Sequence, residues 1–434
     1  MPGRWSAPRN GRWLGRLLAC GLLIMTARSA RSDDSELGPR ADAWTRVDAA
    51  LNEGKPKTAA EALAGIEGAA AADGAWAEVA RAIATRILTE TGDRPADDAE
   101  RIVRLGAAIA QAPAQSRPVL EAIRANWTWA YFQVNRWRFQ QRTSGGADSA
   151  DPTRMNEWDL PTIVAEIRSR FTSVAAATDT LQNQPVADWS VIIDKGTMPD
   201  AYRPTVWDVV VRDAIEFAAS GERGLASPED AFELEASSPA LGSVDEFRAW
   251  RPEADPAITD RDAPVLQTVT LYRGLLDFHA VDADPTAFLA ADLDRILWAS
   301  GVAVDNADAT VIDRKVDALE AFITRAGDHE ITAQASHVLA GIAREHMAGL
   351  RRDLVAEIES RDLAVDAERT WAAPWPAVHV TFRNLARLHL RLAKADWRAR
   401  LAAGKPHAAW LDDEDGAAIL RLPSVKTATV DLPA

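Results

Sequence analysis

The spacing of apolar residues changes once along this chain of 434 residues, and no other feature of the sequence restricts the fold as strongly. From residue 33 to about residue 355, apolar residues recur at steps of three and four and are interrupted by Gly and Pro, which is the pattern of short helices. From residue 362 they alternate in steps of two, which is the pattern of strands. We therefore predict a mainly α chain with a helical-repeat region over residues 33–360 and a β region over residues 362–434.

The helical region begins with successive segments that are each closed by Gly or Pro. They read "KTAAEALAGIEGAAAADG", "AWAEVARAIATRILTETG" and "DDAERIVRLGAAIAQAP". Short helices joined by tight turns are typical of antiparallel helical hairpin arrays. Small residues just after a turn, as in "EGKPKTAAEAL", resemble tetratricopeptide packing, but a strict repeat of about 34 residues is not visible. The sequence predicts a degenerate tetratricopeptide-like array, interrupted by a long surface excursion over residues 221–263, which are rich in Pro, Ser and acidic residues.

The β region predicts two strands with a turn around Arg383–Asn384–Leu385, followed by a third strand near the end of the chain. Two or three strands cannot close a sandwich, and the last strand would leave an unpaired edge. We expect residues 362–434 to be the incomplete start of a larger β domain, and the chain to be the front part of a longer protein. The apolar or β-branched residues that set the alternation are Val378, Val380, Phe382, Leu388, Leu390, Leu392, Val425, Thr427 and Thr429.

The first 31 residues have the pattern of a secretory signal peptide: a basic start, an apolar run from Leu17 to about Met25, and small residues before a cleavage site near Ala30. The apolar run is too short to span a membrane. "LLAC" also resembles a lipobox, in which Cys20 would carry a lipid anchor, although apolar residues follow it. Both readings predict a secreted protein of the bacterial periplasm or cell surface, which meets a membrane only through a lipid on Cys20. Because Cys20 is the single cysteine, the mature chain forms no disulfide.

The segment "QVNRWRFQQRT", residues 133–143, interleaves arginines with aromatic residues, as proteins that bind single-stranded nucleic acids do. The chain carries a formal charge of −15, which opposes phosphate binding. We therefore interpret the segment as one helix with a buried aromatic stripe flanked by guanidinium groups, and we expect no nucleic-acid partner. The residues of the expected stripe are Leu120, Ile123, Trp127, Val134 and Trp137.

Several strings resemble, in their order, the N-terminal region of bacterial alpha-2-macroglobulin-like proteins. They are "NRW-[KR]-F-x-x-RT", "WDL", "D-[FW]-x-x-I-[IL]-x-KG", "RPT-[LV]-[YW]-D", "LYxxLLxFH" and "W-x-APWP". The resemblance covers the chain from about residue 40 to its end. The matching residues are Asn135, Arg136, Trp137, Phe139, Arg142, Thr143, Trp158, Asp159, Leu160, Asp188, Trp189, Ile192, Ile193, Lys195, Gly196, Arg203, Pro204, Thr205, Val206, Trp207, Asp208, Leu271, Tyr272, Leu275, Leu276, Phe278, His279, Trp371, Ala373, Pro374, Trp375 and Pro376.

This resemblance implies helical repeats followed by the opening strands of a macroglobulin-like β-sandwich. The family traps proteases after a bait segment is cut, and many members acylate the protease through a thioester of Cys and Gln. This chain departs from that pattern because no cysteine follows Cys20 and no bait segment can be located. The resemblance implies a scaffold or docking part of a secreted protease-trapping inhibitor, whose partners are downstream macroglobulin domains and target proteases. The alternative is a stand-alone periplasmic helical-repeat module that binds proteins.

The sequence predicts no catalytic, cofactor-binding or metal-binding residue, and therefore no enzyme. "DHEIT", Asp328–Thr332, has Ala333 where a zinc-protease helix needs its second histidine. His337 and His346 are nine residues apart, which places them on opposite sides of a helix that turns about 100° per residue. "WLDDEDG", residues 410–416, lacks the alternation of a calcium loop. "NWT" at Asn126 fits a glycosylation acceptor, but its place in the aromatic helix favours packing.

Overall fold

A computed structural model of the chain describes residues 39–91, 98–141, 151–193, 198–220, 232–252, 263–346, 360–367, 378–394 and 420–432, with isolated residues between 396 and 418. The chain divides into two compact units, residues 1–335 and 336–434. The described part is mainly helical, and its few short strands are antiparallel and lie toward the end of the sequence. The prediction of this coarse fold class is confirmed. No helix among the described residues is both long and apolar enough to cross a bilayer.

The helices of the described ranges follow one another through short connections in the first 140 residues and through longer ones afterwards. Short 3-10 helices occur at Pro152–Glu157, Val186–Trp189, Asp200–Tyr202 and Pro239–Leu241. The α-helices are α1 Ala41–Asn52, α2 Pro56–Ala72, α3 Trp76–Thr91, α4 Asp98–Gln111, α5 Arg117–Gln140, α6 Leu160–Ala175, α7 Thr178–Leu181, α8 Val206–Ala219, α9 Val244–Ala249, α10 Pro264–His279, α11 Thr286–Val302, α12 Ala309–Ala326 and α13 Thr332–His346.

The turns between the first helices have the residues that their backbone requires. Gly54 and Gly74 follow α1 and α2 with positive φ values of 69° and 72°, a conformation that favours glycine. Pro56 begins α2, where its missing N–H costs no helical hydrogen bond. These three-residue links make α1, α2 and α3 neighbours that pack against one another in sequence order. The local chemistry of Gly and Pro therefore decides where each helix of this region begins and ends.

The core of the helical unit is centred on aromatic residues of α5, α6 and α8. The ring of Trp129 meets Phe171 and Phe217 edge-on, with centroids 6.1 Å and 5.5 Å away, and Phe171 stacks on Phe217 at 5.3 Å. All three side chains are buried. Because aromatic rings bury large areas and attract each other in such geometries, this cluster fixes the relative positions of the three helices.

The apolar stripe expected along α5 is wrong in its second half. Val134 and Trp137 are 62% and 61% exposed, whereas Phe132 and Phe139 are buried. Phe139 lies seven residues after Phe132, close to two full turns, so both point to the same side of the helix. Val134 lies about 200° around the helix from Phe132, on the opposite side. The neighbours of α5 cover the Phe132 side, and the sequence spacing alone does not identify which side they cover.

The surface excursion expected over residues 221–263 is also wrong for its described part. Leu234, Leu241 and Phe247 are buried in the core. Helix α9 begins at a capping box, in which the side chains of Ser243 and Glu246 each accept a hydrogen bond from the other's backbone N–H. Residues 232–252 are therefore an integral part of the helical unit, while 221–231 and 253–262 lie outside the described residues.

The described residues of the second unit form four strands, β1 Asp362–Ala367, β2 Val378–Arg383, β3 Arg387–Ala393 and β4 Ser424–Asp431. β1 pairs with β2 and β3 pairs with β4, so the strands form two separate two-stranded antiparallel sheets. The two strands predicted on either side of residues 383–385 are confirmed, and Asn384 turns the chain there with a φ of 56°. β2 and β3 do not pair with each other: β2 pairs with β1, and β3 pairs with β4.

Candidate functional site

Among the described residues of the helical unit, α6, α8 and α10 line a groove, to which Arg251 and Pro252 also contribute. We call it the arginine groove. Its volume is about 860 Å³, within the range of roughly 300–1,000 Å³ that is usual for small-molecule sites. Its lining consists of Arg168, Phe171, Thr172, Ala175, Ala176, Trp207, Ala214, Phe217, Arg251, Pro252, Leu266, Gln267, Thr270, Leu271, Arg273 and Gly274.

The floor of the arginine groove is aromatic and rigidly held. Phe171 and Phe217 belong to the stacked core cluster, so their groove-facing edges have little freedom to move. The indole of Trp207 is fixed by its Nε1–H, which donates to the carbonyl oxygen of Ala175 at 2.9 Å. Gly274 leaves space beside this ring, since a Cβ at that position would lie 3.6 Å from Cη2 of Trp207. The floor is a preformed apolar surface.

The rim of the groove carries positive charge. Arg251 and Arg273 both donate from Nη1 to the carbonyl oxygen of Trp250, each at 3.0 Å, so their guanidinium groups converge on one acceptor. Burial lowers the pKa of Arg273, and the nearby charge of Arg251 lowers it further. Asp277, the carboxylate that attracts Arg273, accepts a 2.8 Å hydrogen bond from Arg248. The guanidinium groups of Arg251 and Arg273 therefore lie close together in the lining, which also contains Arg168.

The described lining of the groove contains two threonine hydroxyls and no carboxylate, imidazole or thiol group. General acid–base and nucleophilic catalysis depend on such groups. An apolar floor beside two neighbouring guanidinium groups is suited to holding a ligand that has an apolar body and an anionic head. The chemistry of this lining therefore favours binding.

A buried polar network lies at the N-terminal end of α8. Thr205 and Asp208 form a capping box, and Oδ1 of Asp208 is 2.6 Å from Nε2 of His279 at the end of α10. Nδ1 of His279 is 2.7 Å from Oδ2 of Asp282. Burial lowers the pKa of His279, but its hydrogen bonds and attraction to Asp208 and Asp282 outweigh burial and raise the pKa above its usual value. The network joins two helices that also wall the groove.

Two carboxyl groups farther along α8 also have raised pKa values. Burial raises the pKa of Asp213 to about 7, although a 2.9 Å hydrogen bond from Nδ2 of Asn126 opposes this change. Burial raises the pKa of Glu216 to about 7, and the neighbouring Asp213 contributes to the increase. Arg203 attracts both carboxylates, and its own pKa falls to about 10 through burial and repulsion from Arg212. Asp213 and Glu216 do not line the arginine groove.

His329, from "DHEIT", contacts a hydroxyl group in a way that resembles a catalytic dyad. Its Nε2 lies 2.9 Å from Oγ1 of Thr286, whose own hydroxyl donates to Oδ1 of Asp284. Nδ1 of His329 accepts a hydrogen bond from the backbone N–H of Ile331 at 3.2 Å, so a neutral ring carries its proton on Nε2. That nitrogen donates to Thr286 and cannot take a proton from it, so the contact is a structural hydrogen bond at the first residue of α11.

The remaining candidate residues from the sequence form no site among the described residues. Cys20 and residues 410–416 lie outside the described residues, as does the side chain of His346. His337 is exposed. Asn126 is buried and donates to Ala122 and Asp213, in keeping with its interpretation as a packing residue. Within the described ranges, no three His, Cys, Asp or Glu side chains are grouped so that they could hold a metal ion.

Most of the described residues from the family-like motifs contribute to core packing or to helix capping. Trp158, Trp189 and Phe139 are buried, and Asp159 caps α6 by accepting from the N–H of Thr162. Trp137 and Asp188 are exceptions, because both are exposed. Arg142, Thr143, Lys195, Gly196 and the motif residues of 371–376 lie outside the described residues.

Sequence reasoning missed the residues of the arginine groove. Arg251 and Arg273 are separated by 22 positions, and Arg251 lies in the segment that was expected to be a surface excursion. Gly274 is the one local signal, since a glycine inside a helical pattern often marks a close approach or a cavity. The chain matches none of the protein-family models, curated proteins or solved structures with which it was compared.

Proposed function

We propose that this chain is a scaffold or docking part of a secreted alpha-macroglobulin-like protein that traps proteases. Endopeptidase inhibition would reside in the full-length protein, and this part would connect downstream macroglobulin domains. Two features support the proposal: the ordered family-like motifs, and the change from helices to antiparallel strands at residue 362. The tetratricopeptide-like arrangement of the helices and the macroglobulin-like identity of the strands belong to the same proposal.

The observation that carries the proposal is the exposure of apolar side chains on both two-stranded sheets. Val365 on β1 is 54% exposed, Leu392 on β3 is 55% exposed, and Val425 on β4 is 65% exposed. A two-stranded sheet is at best marginally stable alone in water, and β-sandwiches gain stability when a second sheet covers such residues. These strands have the character of one face of a sandwich that further strands complete.

The gene sequence beyond the codon for Ala434 is the first test. We expect it to encode further β-sandwich modules, and a stop codon directly after Ala434 would contradict the proposal. The second test is amide hydrogen exchange in residues 387–393 and 424–431. Exchange should be fast in the 434-residue chain and slow in a chain extended by those modules. Slow exchange in the short chain would show that its sheets need no further partner.

The full-length protein provides the functional test. A protease mixed with it should lose activity toward a large protein substrate, and deletion of residues 39–335 should weaken this inhibition if the helical unit is a required scaffold. Undiminished inhibition after the deletion would remove the scaffold role. A point variant on the exposed helix surface, Arg46→Gln, is the matched control.

Secretion is tested at the N-terminus of the mature protein. We expect mass spectrometry to find either a start near Ala30, after ordinary cleavage, or a lipid on Cys20. A Cys20→Ser variant would release the protein from membranes only in the second case. A cytoplasmic protein that keeps residues 1–31 would contradict the proposed location.

A second candidate function, a stand-alone periplasmic helical-repeat module that binds proteins, is favoured by one observation. Val134 and Trp137 are both more than half exposed near the end of α5, beside the exposed Arg138. Exposed Trp with neighbouring Arg is typical of residues that dominate protein interfaces. Cooperative unfolding of the 434-residue chain, with slow exchange in its C-terminal strands, would favour this candidate over the first.

A further inference from the structure

We propose that the arginine groove binds a small amphipathic carboxylate, with its apolar body on the Phe171, Trp207 and Phe217 floor and its carboxylate between Arg251 and Arg273. This inference does not depend on the proposed function, because it rests only on residues of the helical unit.

The head-group site follows from the convergence of two guanidinium groups. Arg251 and Arg273 share the carbonyl oxygen of Trp250, and Arg251 also donates to the carbonyl oxygen of Arg248 at 2.5 Å. Among the described residues, the hydrogen bonds of both side chains go to backbone carbonyls, which carry no net charge. A carboxylate placed between the two groups would accept charge-assisted hydrogen bonds from the N–H groups that remain, and planar guanidinium groups match its geometry.

The body site follows from the shape and rigidity of the floor. Trp207 is held by its hydrogen bond to Ala175, and Phe171 and Phe217 are held by their mutual stacking. Gly274 keeps the space beside Trp207 open. A preformed apolar surface does not have to reorganise when a ligand binds, which lowers the entropic cost of binding. An aliphatic or aromatic group would therefore be bound mainly through burial of its surface.

Charge and position select a monoanion over larger anionic partners. The chain as a whole carries a formal charge of −15, which repels polyanions such as nucleic acids. Of the three lining arginines, Arg251 and Arg273 share one acceptor, and the floor is apolar, so one negative charge at the end of an apolar body is the complementary arrangement. Three helices line the groove, and its volume of about 860 Å³ is in the range of small-molecule sites.

The experiment is titration calorimetry of the 434-residue protein with sodium decanoate, kept below the concentration at which it forms micelles. Decanol and decyltrimethylammonium are the neutral and cationic counterparts with the same chain. We expect decanoate to bind at a single site and at least about tenfold more tightly than either counterpart. Equal affinity for decanoate and decanol, or preference for the cationic compound, would overturn the proposal.

Two variants test the site for the carboxylate head and the site for the apolar body independently. Arg251→Gln changes an exposed side chain and should weaken decanoate binding about tenfold while leaving decanol binding unchanged. Thr270→Trp, at an exposed position of the lining, should block the groove and abolish binding of both compounds. Arg46→Gln removes an exposed arginine of α1, outside the lining, and should change neither affinity.

Circular dichroism checks that each variant is folded. Because Arg251 and Thr270 are exposed, we expect both variants to fold as the wild type does. Unchanged decanoate binding in both Arg251→Gln and Thr270→Trp would place the ligand elsewhere and refute the assignment. Saturation by a short acidic peptide, with no response to decanoate, would also refute it in favour of a peptide site.

Discussion

Nε2 of His279, the last residue of α10, lies 2.6 Å from Oδ1 of Asp208 in the first turn of α8. The other oxygen of this carboxylate accepts hydrogen bonds from the backbone N–H and the hydroxyl group of Thr205. One buried carboxylate therefore caps α8 and also ties it to α10. The two motifs "RPTVWD" and "LYRGLLDFH" meet at this contact, although 71 positions separate Asp208 from His279.

Replacement of His279 by alanine should strongly destabilise the helical unit. The change leaves Asp208 buried without its imidazole partner, and breaking a buried charged pair costs about 3–5 kcal/mol. Urea denaturation should show this loss in the free energy of unfolding. His337→Ala, at an exposed position, is the matched control and should change it by less than about 0.5 kcal/mol.

The same pair should make stability depend on pH. The folded-state pKa of His279 is raised above its usual value, so its stabilising contribution is complete below a pH of about 6.5 and is lost as pH rises through the folded-state pKa. The difference in unfolding free energy between the wild type and His279→Ala should therefore shrink in alkaline solution. A difference that grows with pH would contradict the ionic character of the pair.

Asp213 should add a pH dependence in a lower range. Its folded-state pKa of about 7 lies above the ordinary 3.8, so the folded protein holds a proton that the unfolded chain has released. Its contribution to stability falls as pH rises from about 4 to about 7, by about 1.4 kcal/mol per pH unit for one proton. Asp213→Asn should flatten this decline, and its amide could donate to the buried Oδ1 of Asn126, which has no donor among the described residues.

Unfolding free energies measured at several pH values test this prediction. The exposed carboxylate Asp317 on α12 provides the matched variant, Asp317→Asn, which should leave the wild-type slope intact. A slope that is equally steep in Asp213→Asn and the wild type would show that Asp213 is already ionised at low pH in the folded state.

Sequence reasoning located most of the helices and the strands β2, β3 and β4 because their signals are local, but it missed β1 and α9. Thr205 before α8 has the residue type and spacing of an N-cap, and the alternation around Leu388 and Leu390 identifies β3. It did not identify which strands pair, because β2 and β3 are neighbours in sequence but pair with different strands, β1 and β4. Pairing and register depend on tertiary contacts that the alternation does not encode.

Local sequence signals also fail to predict the arginine groove. Phe171, Phe217 and Trp207 each fit the apolar pattern of a helix, and nothing in their spacing distinguishes a groove floor from a sealed core. Arg251 becomes a rim residue only because residues 232–252 fold back onto α10 and α11. The site is a product of three-dimensional packing, and the sequence offers only Gly274 as a local sign.

Arg295 should be essential for the packing of residues 239–250. It is buried, pairs with Asp292 and donates from Nη1 to the carbonyl oxygens of Ala240 and Gly242, at 2.8 Å and 2.9 Å. Arg295→Met keeps much of the apolar stem but leaves these acceptors without a donor, so we expect a loss of about 3–5 kcal/mol in the free energy of unfolding.

Hydrogen exchange distinguishes a local effect of this change from a global one. The backbone N–H of Phe247 in α9 donates to the carbonyl oxygen of Ser243, the N-cap residue, and should exchange faster in Arg295→Met than global unfolding alone explains. Arg46→Met, at an exposed position of α1, should change neither the exchange rate nor the stability. Normal protection of α9 in Arg295→Met would show that the segment packs without the arginine.

The exposed end of α5 gives a direct comparison between two faces of one helix. Val134→Ser and Trp137→Ser should each change the free energy of unfolding by less than about 0.5 kcal/mol, because both side chains are more than 60% exposed. Phe132→Ala and Phe139→Ala should each cost about 3–5 kcal/mol, because they leave cavities in the core. Thermal or urea denaturation of the four variants shows which face of α5 is buried. Large losses at Val134 and Trp137 would restore the continuous buried stripe that the sequence predicts, since an exposed side chain has no packing energy to lose.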